Sequence, residues 1–219
     1  MIKAVIFDQD GLMFDTERIS GEAWRQAEKG FGIHVDDAFL NTIRGMNAAD
    51  AKQRFCQAFG EQLDFEALRS RKRRIFEELL LQEGIPVKPG LYELLDYLKE
   101  NGYPAAVASA SSHSYTERNL RSTGIDGYFC CMVTGDMVER AKPDPAIFLQ
   151  AARLLGKQPE ECLVLEDSIN GVEAGLRGGF VTVMVPDIAR PDERLRRRVK
   201  RVCSSLLEVK ELLEAGELD

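Results

Sequence analysis

Four carboxylates follow two short apolar segments of the sequence. The first segment ends in Asp8-Gln9-Asp10-Gly11, and the second ends in Glu166-Asp167-Ser168. If both segments are strands of one parallel sheet, the acids lie close together, because ligands bind at the carboxyl ends of such strands. Carboxylates at this range repel one another unless a cation separates them, and their hard oxygen atoms suit Mg²⁺. We therefore expect a Mg²⁺ ion among these four acids.

Candidate hydrogen-bond donors for an anionic group lie at two other places in the sequence. Ser109-Ala110-Ser111 ends a further apolar segment, and Lys142 precedes Pro143-Asp144-Pro145 at the start of a helix. Beside a metal, a lysine and a serine can bind a phosphoryl group. Asp8 and Asp10 could then take separate roles, since one carboxylate can attack phosphorus while the other exchanges a proton with the leaving or entering oxygen. Each motif alone is a weak signal, and the prediction depends on their joint occurrence.

Five β-rich segments alternate with helical segments along the chain. Their apolar character is nearly continuous, as expected of parallel strands covered on both faces. Helix signals lie between them, since leucines recur at helical spacing after Pro89-Gly90 and Asp144-Pro145 supplies a helix start. The alternation predicts an α/β fold with a doubly wound, Rossmann-like parallel sheet. The five segments are residues 2–7, 105–109, 131–134, 162–166 and 181–185.

The stretch from residue 16 to residue 83 contains no convincing strand. Its apolar residues recur at helical spacing and glycines interrupt them, which predicts several amphipathic helices. We expect an inserted all-α helical cap domain at residues 16–83 and a discontinuous catalytic core at residues 1–15 and 84–219. The segments around residues 13–16 and 84–90 would then be the two linkers of a hinge.

Length and composition exclude several classes of protein. The 219 residues suffice for one fair-sized domain or for a core with an insert. The apolar runs fall far short of the roughly 20 residues that span a bilayer. The N-terminus shows no secretory signal, so we expect a soluble, cytoplasmic protein without membrane contact. The two histidines exclude a histidine-rich metal site, and the five cysteines, with no Cys-x-x-Cys pair, favour reduced thiols.

The net charge of −7 argues against a nucleic-acid partner, because binding to nucleic acid depends on neutralising phosphates. Two basic clusters qualify this argument, but each is more simply a solvated helix face than an anion-binding site. We therefore expect no nucleic-acid partner. The clusters are Arg69, Arg71, Lys72, Arg73 and Arg74, and Arg190, Arg194, Arg196, Arg197, Arg198, Lys200 and Arg201.

Four segments resemble the signature motifs of the haloacid dehalogenase superfamily. They are residues 5–17, Ser109-Ala110-Ser111, Lys142-Pro143-Asp144-Pro145 and Leu165-Glu166-Asp167-Ser168. The likeness is closest to the phosphatase and β-phosphoglucomutase branch with a helical cap, and it covers nearly the whole chain. Because the resemblance includes the second aspartate of Asp8-Gln9-Asp10, it implies phosphoryl transfer instead of dehalogenation.

The resemblance also implies a role for each motif residue. Asp8 would be the nucleophile that forms an aspartyl-phosphate, and Asp10 would be the general acid and base. The Asp8 and Asp167 carboxylates and the Asp10 main-chain carbonyl would hold Mg²⁺. Glu166 would lie in the same shell, directly or through water. The phosphoryl group would be bound by Ser109, Lys142 and the backbone N–H of Ala110.

In this family the inserted helices close over the site, and cap residues select the substrate. By resemblance, Arg44 and Asn47 belong to a cap loop that reads the substrate. Lys72 lies near a position that often contacts a second anionic group. Closure would exclude water and bring these residues to the bound phosphoryl group.

Three functions are compatible with the motifs. The first is a Mg²⁺-dependent phosphatase that hydrolyses a small phosphorylated metabolite, such as a sugar phosphate, through an aspartyl-phosphate. A mutase of the β-phosphoglucomutase type is the alternative, although Ser20 stands where such mutases usually carry a histidine. A non-catalytic phosphometabolite-binding protein is the third, although binding alone does not require both Asp8 and Asp10. We expect the phosphatase, acting as a monomer.

The sequence also predicts where the side chains of Gln9 and His113 lie. Gln9 replaces the apolar residue that is usual in the family, and strand alternation predicts that its side chain points away from the catalytic face and leaves the chemistry intact. His113 is expected to be a surface residue in the first turn of a helix.

A dinucleotide-binding protein is disfavoured because no Gly-x-Gly-x-x-Gly follows the first strand.

Overall fold

Six parallel strands form one sheet in this computed structural model, which describes residues 1–43 and 48–218. The strands are β1 (Ala4–Phe7), β2 (Ala105–Ser109), β3 (Phe129–Thr134), β4 (Cys162–Glu166), β5 (Val181–Met184) and β6 (Arg201–Val202). Their order across the sheet is β3-β2-β1-β4-β5-β6. The first five lie at the predicted segments, and the two-residue β6 is not predicted by the sequence because it is too short to show an apolar pattern.

The central strand β1 is buried on both faces. None of its four residues is exposed, as expected for a parallel strand that helices cover on each side. Phe7 is in register with Val107 of β2 on one side and with Leu165 of β4 on the other. The carboxyl ends of these three strands therefore lie at one edge, where the strand order reverses and a crevice opens.

Ten α-helices accompany the sheet in the described ranges. They are α1 (Thr16–Ala27), α2 (Asp37–Ile43), α3 (Ala48–Phe59), α4 (Phe65–Glu83), α5 (Leu91–Glu100), α6 (His113–Ser122), α7 (Ala146–Leu155), α8 (Ile169–Arg177), α9 (Glu193–Arg196) and α10 (Leu206–Glu214). In the same ranges, no helix combines the length and the apolar composition of a membrane span. Leucines of α5 and α10 pack on one face of the sheet, whereas Ile147 and Phe148 of α7 pack on the other. The sheet is thus doubly wound, as predicted.

Helices α1 to α4 form the cap and share a core of their own. Trp24 and Phe55 pack together in it with ring centroids 4.8 Å apart. Helix α4 begins after Asp64, whose side chain accepts a hydrogen bond from the backbone N–H of Ala67 at 3.0 Å. The predicted fold class, a parallel sheet with an inserted all-α cap, is confirmed. Residues 16–83 stay our proposal for the bounds of the cap as a domain.

The chain enters and leaves the cap at one place. Phe14 and Val87 form an antiparallel bridge between the two linkers. The Nζ atom of Lys88 lies 2.6 Å from Asp187 of the core and 3.6 Å from Asp15 of the first linker. The two linkers are therefore joined to each other and to the core, which is the arrangement expected of a paired hinge.

Candidate active site

Three of the four predicted carboxylates form an acidic cluster at the carboxyl edge of the sheet. Oxygen atoms of Asp8, Glu166 and Asp167 lie within 4.8 Å of one another, and all three side chains are buried. Burial, together with the charges of Glu166 and Asp8, raises the pKa of Asp167 well above its usual value. A cation among these oxygens would relieve that cost, so the donor set fits a metal ion.

Lys142 neutralises part of this negative charge. Its Nζ atom donates to Oδ1 of Asp8, to Oε1 of Glu166 at 2.7 Å and to the carbonyl oxygen of Ala108 at 3.2 Å. Burial alone would lower the pKa of Lys142, but the charges of Asp8 and Glu166 raise it above the usual lysine value. Burial raises the pKa of Asp8, although the charge of Lys142 opposes that rise. Lys142 therefore stays charged and fixes two carboxylates.

Both carboxylate oxygens of Glu166 have donors within the protein. Oε1 accepts from Lys142, and Oε2 accepts from the backbone N–H of Ser168 at 2.8 Å and from its hydroxyl at 2.9 Å. A Cβ at Gly171 would lie 1.6 Å from Oε1 of Glu166, so α8 can approach this carboxylate only because residue 171 is glycine. With its oxygens engaged, Glu166 is better suited to orient Lys142 than to bind a metal directly.

Gly11 brings the backbone after β1 close to Asp167. Its φ is +91°, a conformation that residues with a Cβ rarely adopt. A Cβ at this position would also lie 2.2 Å from Oδ2 of Asp167. Glycine at position 11 therefore lets the carboxylates of Asp8 and Asp167 face the same space.

The fourth predicted carboxylate, Asp10, is not part of the acidic cluster and has four donors of its own. Its Oδ1 atom accepts from the hydroxyl of Thr16 at 2.7 Å and from the hydroxyl of Tyr115 at 3.2 Å. Its Oδ2 atom accepts from the hydroxyl of Ser111 at 2.8 Å and from the side-chain amide of Gln9 at 3.2 Å. The paired aspartates thus have different surroundings, as separate chemical roles require.

The side chain of Gln9 is fully buried and is not among those that line the cavity beside Asp8, as expected, but its amide donates to Asp10, which was not expected. This contact forms where the chain has left β1 and turns, with the carbonyl oxygen of Gln9 accepting from the backbone N–H groups of Met13 at 2.9 Å and Phe14 at 3.2 Å. The Oε1 atom of Gln9 has no hydrogen-bond partner among the described residues.

The predicted phosphate-binding residues lie in the turn at the end of β2. Ser109 is buried, and its hydroxyl oxygen accepts from the backbone N–H of Ser111 at 3.1 Å. A Cβ at Gly135 would lie 2.3 Å from the carbonyl oxygen of Ala110, so the chain after β3 packs directly against this turn. These contacts fix the turn, and Ser109 and Ala110 face the same cavity as Asp8.

One cavity of about 970 Å³ lies between the sheet edge and the cap. Its volume is within the range of pockets that bind small metabolites. The cap contributes side chains of α1 and α4 to its lining, among them Ser20 and Lys72. The structure therefore brings every predicted core residue to one space. These residues are Asp8, Asp10, Ser109, Ala110, Lys142, Glu166 and Asp167.

Lys72 reaches this cavity from α4. Its Nζ atom lies 4.4 Å from the ring centroid of Phe76 and 5.6 Å from that of Trp24. Burial lowers the pKa of Lys72 to about 8, although the charges of Glu17 and Asp10 oppose the shift. Lys72 can therefore offer a positive charge to a bound anion below this pH.

The other predicted cap residues, Arg44 and Asn47, lie outside the described residues. His113 is exposed at the start of α6, and its backbone N–H donates to Asp136 at 3.2 Å. The expectation that His113 is a surface residue in the first turn of a helix is confirmed.

Comparison with known proteins identifies the family. A sequence model for haloacid dehalogenase-like hydrolases matches residues 2–179. The chain belongs to this family. A phosphorylated carbohydrates phosphatase from Thermotoga maritima is 32% identical over 219 residues, covering 98% of this chain and 92% of that protein. A fructose-1-phosphate phosphatase from Escherichia coli is 31% identical over 183 residues, covering 83% of this chain and 95% of that protein.

A solved structure shows the same fold as this haloacid dehalogenase-like hydrolase. The β-phosphoglucomutase from Clostridium difficile superposes with a TM-score of 0.82 and is 24% identical, covering 100% of this chain and 97% of that chain. At this identity the likeness concerns the fold. The resemblance inferred from the motifs is confirmed.

Several residues that line the cavity of this haloacid dehalogenase-like hydrolase were not predicted to lie at the site, and two of them, Arg69 and Arg73, were expected on a solvated helix face. Arg69 lies one turn before Lys72 on α4, Arg73 lies one turn after Arg69, and Arg118 reaches the cavity from α6. Helical spacing from Lys72 could have identified Arg69, and the same spacing from Arg69 could have identified Arg73. Arg118 and Tyr115 follow the Ser109 motif in a helix whose orientation the sequence does not define.

Proposed function

We propose that this chain is a Mg²⁺-dependent phosphatase that hydrolyses a small phosphorylated metabolite, such as a sugar phosphate, through an aspartyl-phosphate. The proposal is carried by one observation. Asp8 contacts Lys142 within a buried acidic cluster, whereas Asp10 lines the same cavity with separate donors. The phosphatase names of the Thermotoga maritima and Escherichia coli relatives support it.

Asp8 is the proposed nucleophile. One of its carboxylate oxygens forms a bond to phosphorus while the bond between phosphorus and the substrate oxygen breaks. Lys142 donates to Asp8 and can therefore also donate to the phosphoryl oxygens during the transfer. The hydroxyl of Ser109 and the backbone N–H of Ala110, which line the same cavity, are the proposed donors to the remaining phosphoryl oxygens.

Asp10 is the proposed general acid and base. In the first step, its carboxyl group gives a proton to the oxygen of the departing alcohol. In the second step, its carboxylate accepts a proton from the water molecule that attacks phosphorus. The bond between phosphorus and Asp8 then breaks, which releases inorganic phosphate and restores the free carboxylate.

The acidic cluster is the proposed Mg²⁺ site. The Asp8 and Asp167 carboxylates and the Asp10 main-chain carbonyl would hold the ion, with Glu166 in contact through water. When bound, Mg²⁺ supplies positive charge that offsets the repulsion between the anionic nucleophile and the phosphate. Ser168 and Lys142 keep Glu166 oriented beside the site.

A sugar-phosphate mutase is the alternative function. The fold is shared with a β-phosphoglucomutase. However, Ser20 lines the cavity where, by resemblance, such mutases usually carry a histidine. The Thermotoga maritima and Escherichia coli relatives, both above 30% identity, are phosphatases by name. We therefore favour hydrolysis.

A substrate panel of sugar phosphates, nucleotides and other phosphorylated metabolites tests this proposal. We expect Mg²⁺-dependent release of inorganic phosphate that a chelator abolishes. Asp8→Asn should lower kcat by at least about 1,000-fold, since it removes the nucleophile. Asp126→Asn, at an exposed aspartate before β3, is the matched control and should keep wild-type turnover.

Other outcomes of the panel would contradict hydrolysis. In an assay of β-glucose 1-phosphate to which a trace of bisphosphate is added, formation of glucose 6-phosphate without phosphate release would identify the mutase. Binding without turnover across the panel would identify a binding protein. Turnover that survives in Asp8→Asn would refute the covalent mechanism.

A further inference from the structure

Tyr115 contacts both the proposed acid–base residue and the cap. Its hydroxyl donates to Oδ1 of Asp10 at 3.2 Å. Its ring faces Phe76, with ring centroids 6.1 Å apart. Tyr115 belongs to α6 of the core and Phe76 to α4 of the cap, so one side chain connects a proposed catalytic carboxylate with a helix of the other domain.

The phenol ring of Tyr115 has further neighbours that restrict its position. The guanidinium carbon of Arg118 lies 5.5 Å from its ring centroid. Phe76, which packs against this ring, is itself in contact with Lys72, whose Nζ atom lies 4.4 Å from the ring centroid of Phe76. A side chain that packing holds in one orientation can fix the group to which it donates, which is what a proton-transfer group requires.

We propose that Tyr115 is a positioning residue that holds Asp10 for proton transfer, and that Phe76 makes this hold depend on the position of α4. The inference rests on the proposed function, because it assumes that Asp10 exchanges a proton with the substrate oxygen. Its consequence is that Asp10 has its full set of four donors only while α4 lies over the site, which is also when water is excluded.

The leaving group of the substrate separates this role from a merely structural one. An alkyl phosphate needs a proton on its departing oxygen, whereas 4-nitrophenyl phosphate has a leaving group that departs without one. The value of kcat/KM reports the steps up to departure of the alcohol. We expect Tyr115→Phe to lower kcat/KM about tenfold for the best sugar phosphate of the panel and less than about twofold for 4-nitrophenyl phosphate.

Tyr128→Phe is the matched control. It also removes a tyrosine hydroxyl that donates to an aspartate, Asp96, at 2.6 Å, but it lies away from the cavity. Both kcat/KM values should stay at wild type in this variant. Equal losses for the two substrates in Tyr115→Phe, or no loss for either, would overturn the positioning role, whatever the melting temperature of the variant.

Phe76→Leu tests the connection to the cap. This change removes the ring contact and leaves the Tyr115 hydroxyl in place, so we expect the same selective loss with the alkyl substrate. In the double variant with Tyr115→Phe, the two losses should not multiply, because both act on Asp10 through the same phenol. Losses that multiply fully would overturn the connection.

Asp10→Asn in the same assay separates failure of the inference from failure of the proposed function. If Asp10→Asn lowers the alkyl-to-aryl ratio of kcat/KM and Tyr115→Phe does not, Tyr115 has no positioning role and the proposed function stands. If Asp10→Asn leaves the ratio unchanged, the acid role of Asp10 is wrong, and the inference is overturned with it.

Discussion

The Nζ atom of Lys142 lies 2.7 Å from Oε1 of Glu166, and both side chains are almost completely withdrawn from solvent. The same Nζ atom also donates to Asp8. Lys3 and Glu161 form a pair of the same residue types at 2.6 Å on the surface. Because water screens the second pair and not the first, the two pairs should respond very differently to the loss of their lysine.

Lys142→Met should lower the free energy of unfolding by about 3–5 kcal/mol, because it leaves buried carboxylates without their counter-charge. It should also abolish measurable turnover, since the proposed hydrogen-bond donor to the phosphoryl oxygens is gone. Urea denaturation of the metal-free protein at neutral pH measures the first effect. Lys3→Met is the control and should unfold like the wild type. A Lys142→Met variant as stable as this control would show that Lys142 does not compensate the acidic cluster.

Gly171→Ala should damage the site without touching the substrate. The added Cβ would lie 1.6 Å from Oε1 of Glu166, so either α8 or the carboxylate must move. We expect a loss of about 1–3 kcal/mol in stability and a lower kcat, because Glu166 holds Lys142. Thermal unfolding and steady-state kinetics measure these effects. Gly127→Ala, where no atom lies within 4 Å of the added Cβ, is the control. A lower melting temperature with wild-type kcat would exclude a role of Glu166 in positioning Lys142.

Lys72 should give substrate binding a pH dependence. Burial lowers the pKa of Lys72 to about 8, so its positive charge is lost as the pH rises through that value. The KM for an anionic substrate should therefore rise above this pH, and Lys72→Met should raise KM several-fold at neutral pH and flatten the profile. An unchanged KM profile in Lys72→Met would show that this charge does not bind substrate. Lys99→Met, at an exposed lysine of α5, should match the wild type.

The same shift predicts an effect on stability. Between the folded pKa and the higher unfolded value, the folded protein binds fewer protons than the unfolded chain, so the stability contributed by this group rises with pH. Below the folded pKa, the charge of this half-buried side chain opposes folding. Lys72→Met should therefore raise the melting temperature at pH 7 even though it weakens substrate binding. A fall in the melting temperature would show that the contacts of Lys72 with Phe76 and Trp24 outweigh its desolvation.

The sheet and its catalytic edge could be predicted because they depend on short-range pattern. Asp8 directly follows β1 and Glu166 is the last residue of β4. Buried parallel strands are apolar throughout, so the sequence shows where these strands end. Because the carboxyl ends of such strands lie at one edge of the sheet, the sequence also predicts that the two acids lie close together. Strand β6 could not be predicted in this way, because Arg201 is exposed and two residues contain no period.

The surroundings of Asp10 could not be predicted from pattern. Gln9 is adjacent in sequence, but its direction depends on a turn that ends the strand alternation. Tyr115 lies 105 residues away, and its contact depends on the rotation of α6 about its own axis, which packing against the sheet and the cap determines. Contacts that need the tertiary arrangement of two elements are those that the sequence alone leaves open.

The bridge between Phe14 and Val87 has a consequence for how relatives of this chain can diverge. Because the two ends of the cap are neighbours, the insertion leaves and rejoins the core at one place after β1, as a short loop would. Helices can be lengthened, shortened or exchanged within it while the register of β1 with β2 and β4 is kept. If the cap selects the substrate, as the family resemblance implies, substrate preference can change within the insertion while the strands that carry Asp8 and Glu166 are kept.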